Sequence, residues 1–105
     1  MPRIKIVTLA TLYEAAGRFE HTIEVPDGAT IMDAIRELAR RIPALEDELF
    51  DEHGRLRGDI TVLVNGRPAT AVGGLDARVG DGDTIHLIPP AGGGSRGCGS
   101  NGKYP

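Results

Sequence analysis

The residues whose types and spacing could support chemistry are concentrated at the C-terminal end of the chain. Pro89 to Pro105 contains six glycines and three prolines, and three of the glycines, Gly92 to Gly94, are consecutive. Because glycine lacks a Cβ, such a backbone can enter a narrow channel, and nothing hinders attack on its carbonyl carbon. With almost no apolar side chains to bury, the segment is expected to be mobile and solvated.

Two other features at this end give weaker signals. Gly97 to Lys103 comes close to the phosphate-binding pattern G-x-x-x-x-G-K, but Tyr104 stands where serine or threonine is required. No helix is expected after it, so we predict no nucleotide site there. Cys98 is the single cysteine, which excludes an internal disulfide and fits a reducing cytoplasm. A lone cysteine in such a segment usually has no redox role.

The other polar residues form no catalytic or metal-binding pattern. His21, His53 and His86 lack the spacing of metal ligands, and His21 is predicted to lie in the core or at a sheet edge. No serine, histidine and aspartate follow the logic of a catalytic triad. The net charge of −3 offers no basic field for nucleic acid, and no apolar run approaches a membrane span of ~20 residues. The sequence therefore predicts a non-catalytic protein that binds neither nucleic acid nor membrane.

Hydrophobic patterning predicts the elements that must position the C-terminal end. Ile4 to Leu9 is apolar on both faces, which predicts a strand covered on both sides, followed by a turn or short helix over residues 10–17. From Arg18 polar and apolar residues alternate, which predicts a half-buried antiparallel strand up to the turn at residues 26–28. The buried face of this strand is predicted to carry Phe19, His21, Ile23 and Val25.

One main helix is predicted after this strand. Thr30 and Asp33 have the spacing of a capping box, and apolar residues recur at helical intervals up to Ile42. Pro43 is expected to end the helix. Leu45 to Phe50 predicts a second, shorter helical segment before a polar turn.

A hairpin and a last strand complete the predicted sheet. Ile60 to Val64 is predicted as a strand, and Asn65-Gly66 after it is typical of a tight hairpin turn. Thr84 to Ile88 is predicted as the final strand. This order of elements indicates an α+β fold, with a domain over residues 1–88 and a flexible glycine-rich tail over residues 89–105.

The end of the chain resembles a known family. An Asp-Gly-Asp turn at residues 81–83, five further residues and the run Pro-Pro-Ala-Gly-Gly-Gly at 89–94 are similar to the end of the MoaD and ThiS family of ubiquitin-like sulfur carriers. Counted from the turn, the family's terminal pair falls on Gly93 and Gly94. The match extends upstream to residues 10–17, 64–66 and 73–76. The resemblance implies a β-grasp roll, with a mixed sheet of four to five strands, the first and last strands side by side, and one main helix across it.

The resemblance also implies the chemistry. An E1-like enzyme would use ATP to convert the carboxylate of Gly94 to an acyl adenylate, and a sulfur donor would replace AMP to leave a thiocarboxylate. The carrier itself would bind no cofactor and would deliver sulfur to an acceptor enzyme, such as a molybdopterin synthase large subunit. By analogy with the family's contacts, the partner-binding residues near the root of the tail would be Leu75, Leu87, Ile88, Pro89 and Pro90.

One departure from the family affects the mechanism. Eleven residues, Ser95 to Pro105, follow Gly94, so the carbonyl of Gly94 is an amide and a protease must cut before activation. Two alternatives stay open. The chain could be a ubiquitin-like modifier joined through Gly94 to target lysines, or a β-grasp module that binds partners without any covalent step.

Overall fold

Five strands form one mixed sheet in the computed structural model, which describes residues 1–90. The strands are β1 (Arg3–Thr8), β2 (Glu20–Glu24), β3 (Thr61–Val64), β4 (Arg67–Pro68) and β5 (Thr84–Ile88). Three α-helices accompany them, α1 (Thr11–Ala16), α2 (Ile31–Arg41) and α3 (Glu46–Leu49). Two 3₁₀ turns, Pro43–Leu45 and Ala69–Val72, complete the elements of the described residues.

The sheet has the order β2-β1-β5-β3-β4. β1 and β5 pair in parallel, with Thr8 opposite Leu87, while every other pair of neighbouring strands is antiparallel. The carboxyl ends of the parallel strands β1 and β5 therefore lie at the same edge of the sheet. We call this side the root edge, because Pro89 and Pro90 continue from β5 there. The arrangement confirms the predicted β-grasp roll, in which the first and last strands lie side by side.

Helix α2 begins and ends where the sequence predicts. The hydroxyl oxygen of Thr30 accepts a hydrogen bond from the backbone N–H of Asp33, and the Asp33 carboxylate accepts one from the N–H of Thr30, each at 3.1 Å. This capping box satisfies two N–H groups that have no partner inside the helix. The helix ends before Pro43, which starts the short turn leading into α3. The predicted second helical segment is thereby confirmed.

The core lies between α2 and one face of the sheet. Ile4 and Ile6 of β1 are fully buried, whereas Lys5 between them is exposed. The prediction that β1 is covered on both sides is therefore wrong. In the described residues the helices lie on one face only, so β1 alternates like a half-covered strand. We call the uncovered side of the sheet the open face.

Two details of the predicted strands are settled by burial. Phe19 was expected on the buried face of β2, but it precedes the strand and is 50% exposed, so that prediction is wrong. Beyond the last ladder pair, the strand alternation no longer directs the side chain to the core. His21 is 7% exposed on an edge strand, as predicted. The Asn65-Gly66 hairpin is also confirmed, with φ of 53° and 85° at the two turn residues.

Candidate functional site at the root of the C-terminal tail

The Asp-Gly-Asp turn fixes the start of β5 against the start of β1. The Asp81 carboxylate accepts a hydrogen bond from the backbone N–H of Arg3 at 2.8 Å, and the N–H of Gly82 donates to the Arg3 carbonyl at 2.9 Å. Gly82 has a φ of 88°, a left-handed backbone conformation that residues other than glycine adopt only at a cost in free energy. The turn thus sets the register of the two parallel strands.

Asp83 ties the same turn to the β3–β4 hairpin. Its carboxylate accepts hydrogen bonds from the N–H of Gly80 at 2.7 Å and from the side-chain amide of Asn65 at 3.0 Å. The Asn65 side-chain oxygen in turn accepts from the N–H of Thr84 at 3.0 Å. Because β5 is anchored at its first residue on both sides, the point where the chain leaves the sheet is fixed.

Pro89 and Pro90 stand at that point. Pro89 is buried and Pro90 is exposed, and both line a hollow of about 220 Å³ with Thr11 after β1 and Ile60 before β3. The predicted activation residues, Gly93 and Gly94, lie outside the described residues, as does Cys98. The structure therefore describes the root of the tail and not the tail itself.

Leu87 does not contribute a side chain to any docking surface. It is fully buried in the core, whereas Ile88 after it is half-buried on the open face. Leu87 and Ile88 were predicted to share one partner-facing patch, but successive residues of a strand point to opposite faces. We therefore withdraw Leu87 from the predicted docking residues, together with buried Pro89, and retain Ile88 and exposed Pro90.

Leu75 lies on another side of the root. It is half-buried and lines a largely apolar groove of about 330 Å³ with Leu56, Ile60 and Pro68 among others. Ile60 lines both this groove and the hollow under Pro89. Leu75 is therefore close to the root without standing in the same hollow as the prolines.

The open face carries a row of residues that sequence reasoning did not assign to the site. Val7 of β1 and Leu63 of β3 both pair with His86 of β5, and all three are half-buried. His86 Nδ1 is buried without a hydrogen-bond partner among the described residues. The alternation of β5, with Ile85 in the core, was the available signal. Together with Ile88, the apolar side chains Val7 and Leu63 form, around His86, a mostly apolar strip beside the root.

Two aromatic rings form a second feature that the sequence did not reveal. The rings of Tyr13 and Phe19 are stacked, with centroids 3.9 Å apart and planes 12° apart. Tyr13 is 36% exposed and Phe19 is 50% exposed. Tyr13 belongs to α1 and Phe19 directly precedes β2, so no single sequence period relates them.

The flank of the root next to α3 is acidic. Asp47, Glu48 and Asp59 line the hollow below Pro89 and Pro90. Among the described residues that line the hollow, the one cation is Arg57, whose guanidinium donates to the carbonyl oxygen of Asp47 at 3.0 and 3.2 Å. The root thus has an acidic flank on the side of α3.

A buried hydrogen-bond pair closes the sheet beside the root edge. The Thr8 hydroxyl donates to the carbonyl of Arg18 at 2.8 Å and lies 3.2 Å from His21 Nε2. Burial lowers the pKa of His21 below its usual value, since a charged ring loses its hydration there. These contacts hold the end of β1 to the start of β2.

The described residues contain no group of three histidine, cysteine or acidic side chains arranged to hold a metal ion. Within the same part of the chain, no helix has the length and apolarity needed to cross a membrane.

Comparison with known proteins identifies relatives along nearly the whole domain. The model of the ThiS family matches residues 6–94, so that the matched range ends at Gly94. Small archaeal modifier protein 1 from Haloferax volcanii is 40% identical over 85 residues, which cover 81% of this chain and 93% of the relative. A crystal structure of that protein aligns with a TM-score of 0.79 at 34% identity, over 85% of this chain and 96% of that one.

Two further solved structures share the fold. The solution structure of small archaeal modifier protein 1 from Methanosarcina acetivorans aligns with a TM-score of 0.77 at 30% identity, over 87% of this chain and 95% of that one. A chain of the BexX/CysO complex from Amycolatopsis orientalis aligns with a TM-score of 0.66 at 30% identity, over 84% of this chain and 96% of that one.

Proposed function

The chain belongs to the ThiS family of small, non-catalytic carrier and modifier proteins, and from that membership we propose that it carries sulfur as a thiocarboxylate on Gly94. The observation that supports this most is the family match, which ends at Gly94, the second residue of the predicted diglycine. The fixed register of β5 supports it further. Because the end of β5 is fixed, the number of residues between the sheet and Gly94 is fixed as well.

The proposed chemistry needs little from the carrier beyond an accessible carbonyl. The Gly94 carboxylate attacks the α-phosphorus of ATP, pyrophosphate leaves, and an acyl adenylate forms in the E1-like enzyme. Hydrosulfide, supplied by the sulfur donor, then attacks the carbonyl carbon, AMP and a proton leave, and a thiocarboxylate remains. Glycine suits both steps, because without a Cβ its backbone fits a narrow channel. Tethered sulfur also reaches a higher effective concentration at the acceptor than free sulfide does.

Processing is part of the proposal. In the full chain Gly94 is joined to Ser95, so it has no carboxylate for ATP to activate. Hydrolysis of this one peptide bond creates the carboxylate at the position that the family match indicates. We therefore include a protease among the partners, before the E1-like enzyme and the sulfur acceptor.

The strip of Val7, Leu63, His86 and Ile88 is the surface that we assign to docking, together with exposed Pro90. Half-buried apolar residues beside the tail can anchor a partner, because a few such residues usually carry most of the binding energy of an interface. The BexX/CysO complex, one of whose chains resembles this one, supports the idea that a protein of this fold docks onto a second protein.

The decisive experiment compares two forms of the chain, one ending at Gly94 and one ending at Pro105. Each is incubated with the cognate E1-like enzyme, ATP and a sulfur donor, and the mass of the C-terminal peptide is measured. Exchange of one carboxylate oxygen for sulfur adds about 16 Da by atomic mass. We expect this mass shift only in the form ending at Gly94, because only that form would carry tethered sulfur. A form ending at Gly92 is the matched control, since its carboxylate lies two residues short.

Thiocarboxylate on the untrimmed chain, or none on a trimmed and folded one, would contradict the sulfur-carrier function. Complete inertness of the trimmed chain with ATP would favour a module that binds without covalent chemistry.

A second candidate function is protein modification through Gly94. The similarity to proteins named small archaeal modifier proteins favours it. The two functions share the acyl adenylate and differ in the nucleophile that finally receives the acyl group. This nucleophile is sulfur in the carrier and a target lysine amine in the modifier, which is reached either directly or through a thioester. In cells that express the trimmed chain, lysine-linked conjugates carrying its C-terminal peptide would support modification. A molybdopterin synthase large subunit that gains activity only with the thiocarboxylate would support the sulfur route and identify its acceptor.

A further inference from the structure

We propose that the stacked pair of Tyr13 and Phe19 is an anchor on which the E1-like adenylating enzyme docks while it holds the tail. The inference rests on the proposed function, because it concerns the enzyme that activates Gly94. It assigns a contact surface at the root edge beside the start of β2, outside the strip on the open face.

The position of the pair follows from the register of the sheet. Thr8 is opposite Leu87 on β5, and its backbone N–H donates to the carbonyl of Phe19 at 2.8 Å. Phe19 therefore lies two strand spacings from the end of β5, which is about 10 Å at the usual spacing of neighbouring strands. The pair stands at the root edge, on the β2 side of the tail.

The length of the tail brings the enzyme close to this position. From Pro90 to Gly94 the chain advances four residues, which span at most about 14 Å when fully extended. The nucleotide site that reacts with Gly94 must lie within that distance of the root. The protein walls around such a site extend further than this, so they contact the surface that surrounds the root.

The chemistry of the surface around the root singles out the aromatic pair. On the α3 side the exposed groups include the carboxylates of Asp47 and Glu48, whereas at the start of β2 two stacked rings stand exposed among the charged residues Glu14, Arg18 and Glu20. Exposed apolar groups grouped together mark contact sites, and aromatic residues dominate the binding energy of interfaces. Stacking already restricts both rings, so little side-chain entropy is lost when a partner covers them. The partner surface that fits them is an apolar pocket or flat aliphatic patch.

The test uses the form ending at Gly94 and measures ATP–pyrophosphate exchange by the E1-like enzyme as the carrier concentration is varied. We expect Tyr13→Ala and Phe19→Ala each to raise KM for the carrier about tenfold, as the loss of an interface anchor does, with kcat unchanged. Tyr13→Phe and Phe19→Tyr keep the stack and are expected to keep the KM. Arg78→Ala, which truncates a large exposed side chain next to Thr30 at the opposite end of the sheet, is the matched control.

The outcomes separate the inference from the proposed function. No exchange with the unsubstituted Gly94 form would contradict the proposed function itself. Normal exchange with both alanine variants, or a loss in kcat alone, would overturn the docking inference. Normal exchange together with slower sulfur transfer to the acceptor would assign the pair to the acceptor and overturn it equally. If an alanine variant unfolds in the assay, Phe19→Gln, which keeps a side chain but removes the ring, replaces it.

Discussion

The two faces of the sheet are built from the same strands and serve different ends. On the covered face, Ile4, Ile85 and Leu87 are fully buried under the helices. On the open face, their chain neighbours Lys5, His86 and Ile88 are polar or only half-buried. The covered face stabilises the domain, and the open face carries the strip that we propose as a docking surface. One residue of register therefore separates a position where we expect a substitution to unfold the protein from a position where we expect it to alter recognition.

The largest effect that can test this comparison is expected at Leu87. Leu87→Glu places a carboxylate in the core, and we expect it to lower the free energy of unfolding by at least about 3 kcal/mol, enough to unfold much of a small domain. Ile88→Glu is the matched control, because the same charge one residue later meets solvent. Urea unfolding followed by circular dichroism measures both. Equal losses in the two variants would abolish the distinction between the faces.

A smaller effect, on affinity instead of stability, is expected at Leu63 on the open face. Leu63→Glu disrupts the apolar strip, and we expect it to weaken binding to the E1-like enzyme about tenfold while leaving the urea midpoint nearly unchanged. Thr22→Glu carries the same charge on the same face, but on the edge strand away from the root, and is expected to bind normally. Calorimetric titration with the E1-like enzyme measures the affinity of both variants. Unaltered affinity of the Leu63 variant would remove the strip from the docking surface.

The smallest effect concerns pH and involves His21, which lies on the covered face. Burial lowers the pKa of His21, so on acidification the unfolded chain, with a histidine pKa of about 6.5, takes up its proton first. The free energy of unfolding should therefore decrease as pH falls through about 6.5, and should not change above it on this account. His21→Gln is expected to flatten this part of the profile. A profile unchanged by His21→Gln would contradict this assignment.

Local patterns in the sequence were enough to predict much of the fold. Thr30 and Asp33 gave the start of α2, and Asn65-Gly66 gave the hairpin, because capping and turn chemistry depend on residues a few positions apart. The prediction that β1 is covered on both sides was wrong because Val7 is apolar. An apolar residue at this position does not show whether a helix of the same domain or only a partner covers it. Coverage depends on where the helices pack, and hydrophobicity alone does not report it.

The site was harder to predict than the fold. Leu87 and Ile88 were joined in one patch although strand alternation separates them, an error that local reasoning could have avoided. The stack of Tyr13 on Phe19 could not have been found this way, because it depends on the turn between α1 and β2. The row of Val7, Leu63 and His86 required the register of three strands that are distant in sequence.

The central place of β5 has a consequence for the order of events during synthesis. This strand pairs with both β1 and β3, although it is the last strand of the domain to leave the ribosome. Contacts between such distant segments form late and make folding cooperative, so the sheet cannot close until Ile88 has emerged. A chain interrupted before β5 would have neither a completed sheet nor a root for its tail. Folding of the domain and formation of the root that presents the tail are therefore completed by the same strand.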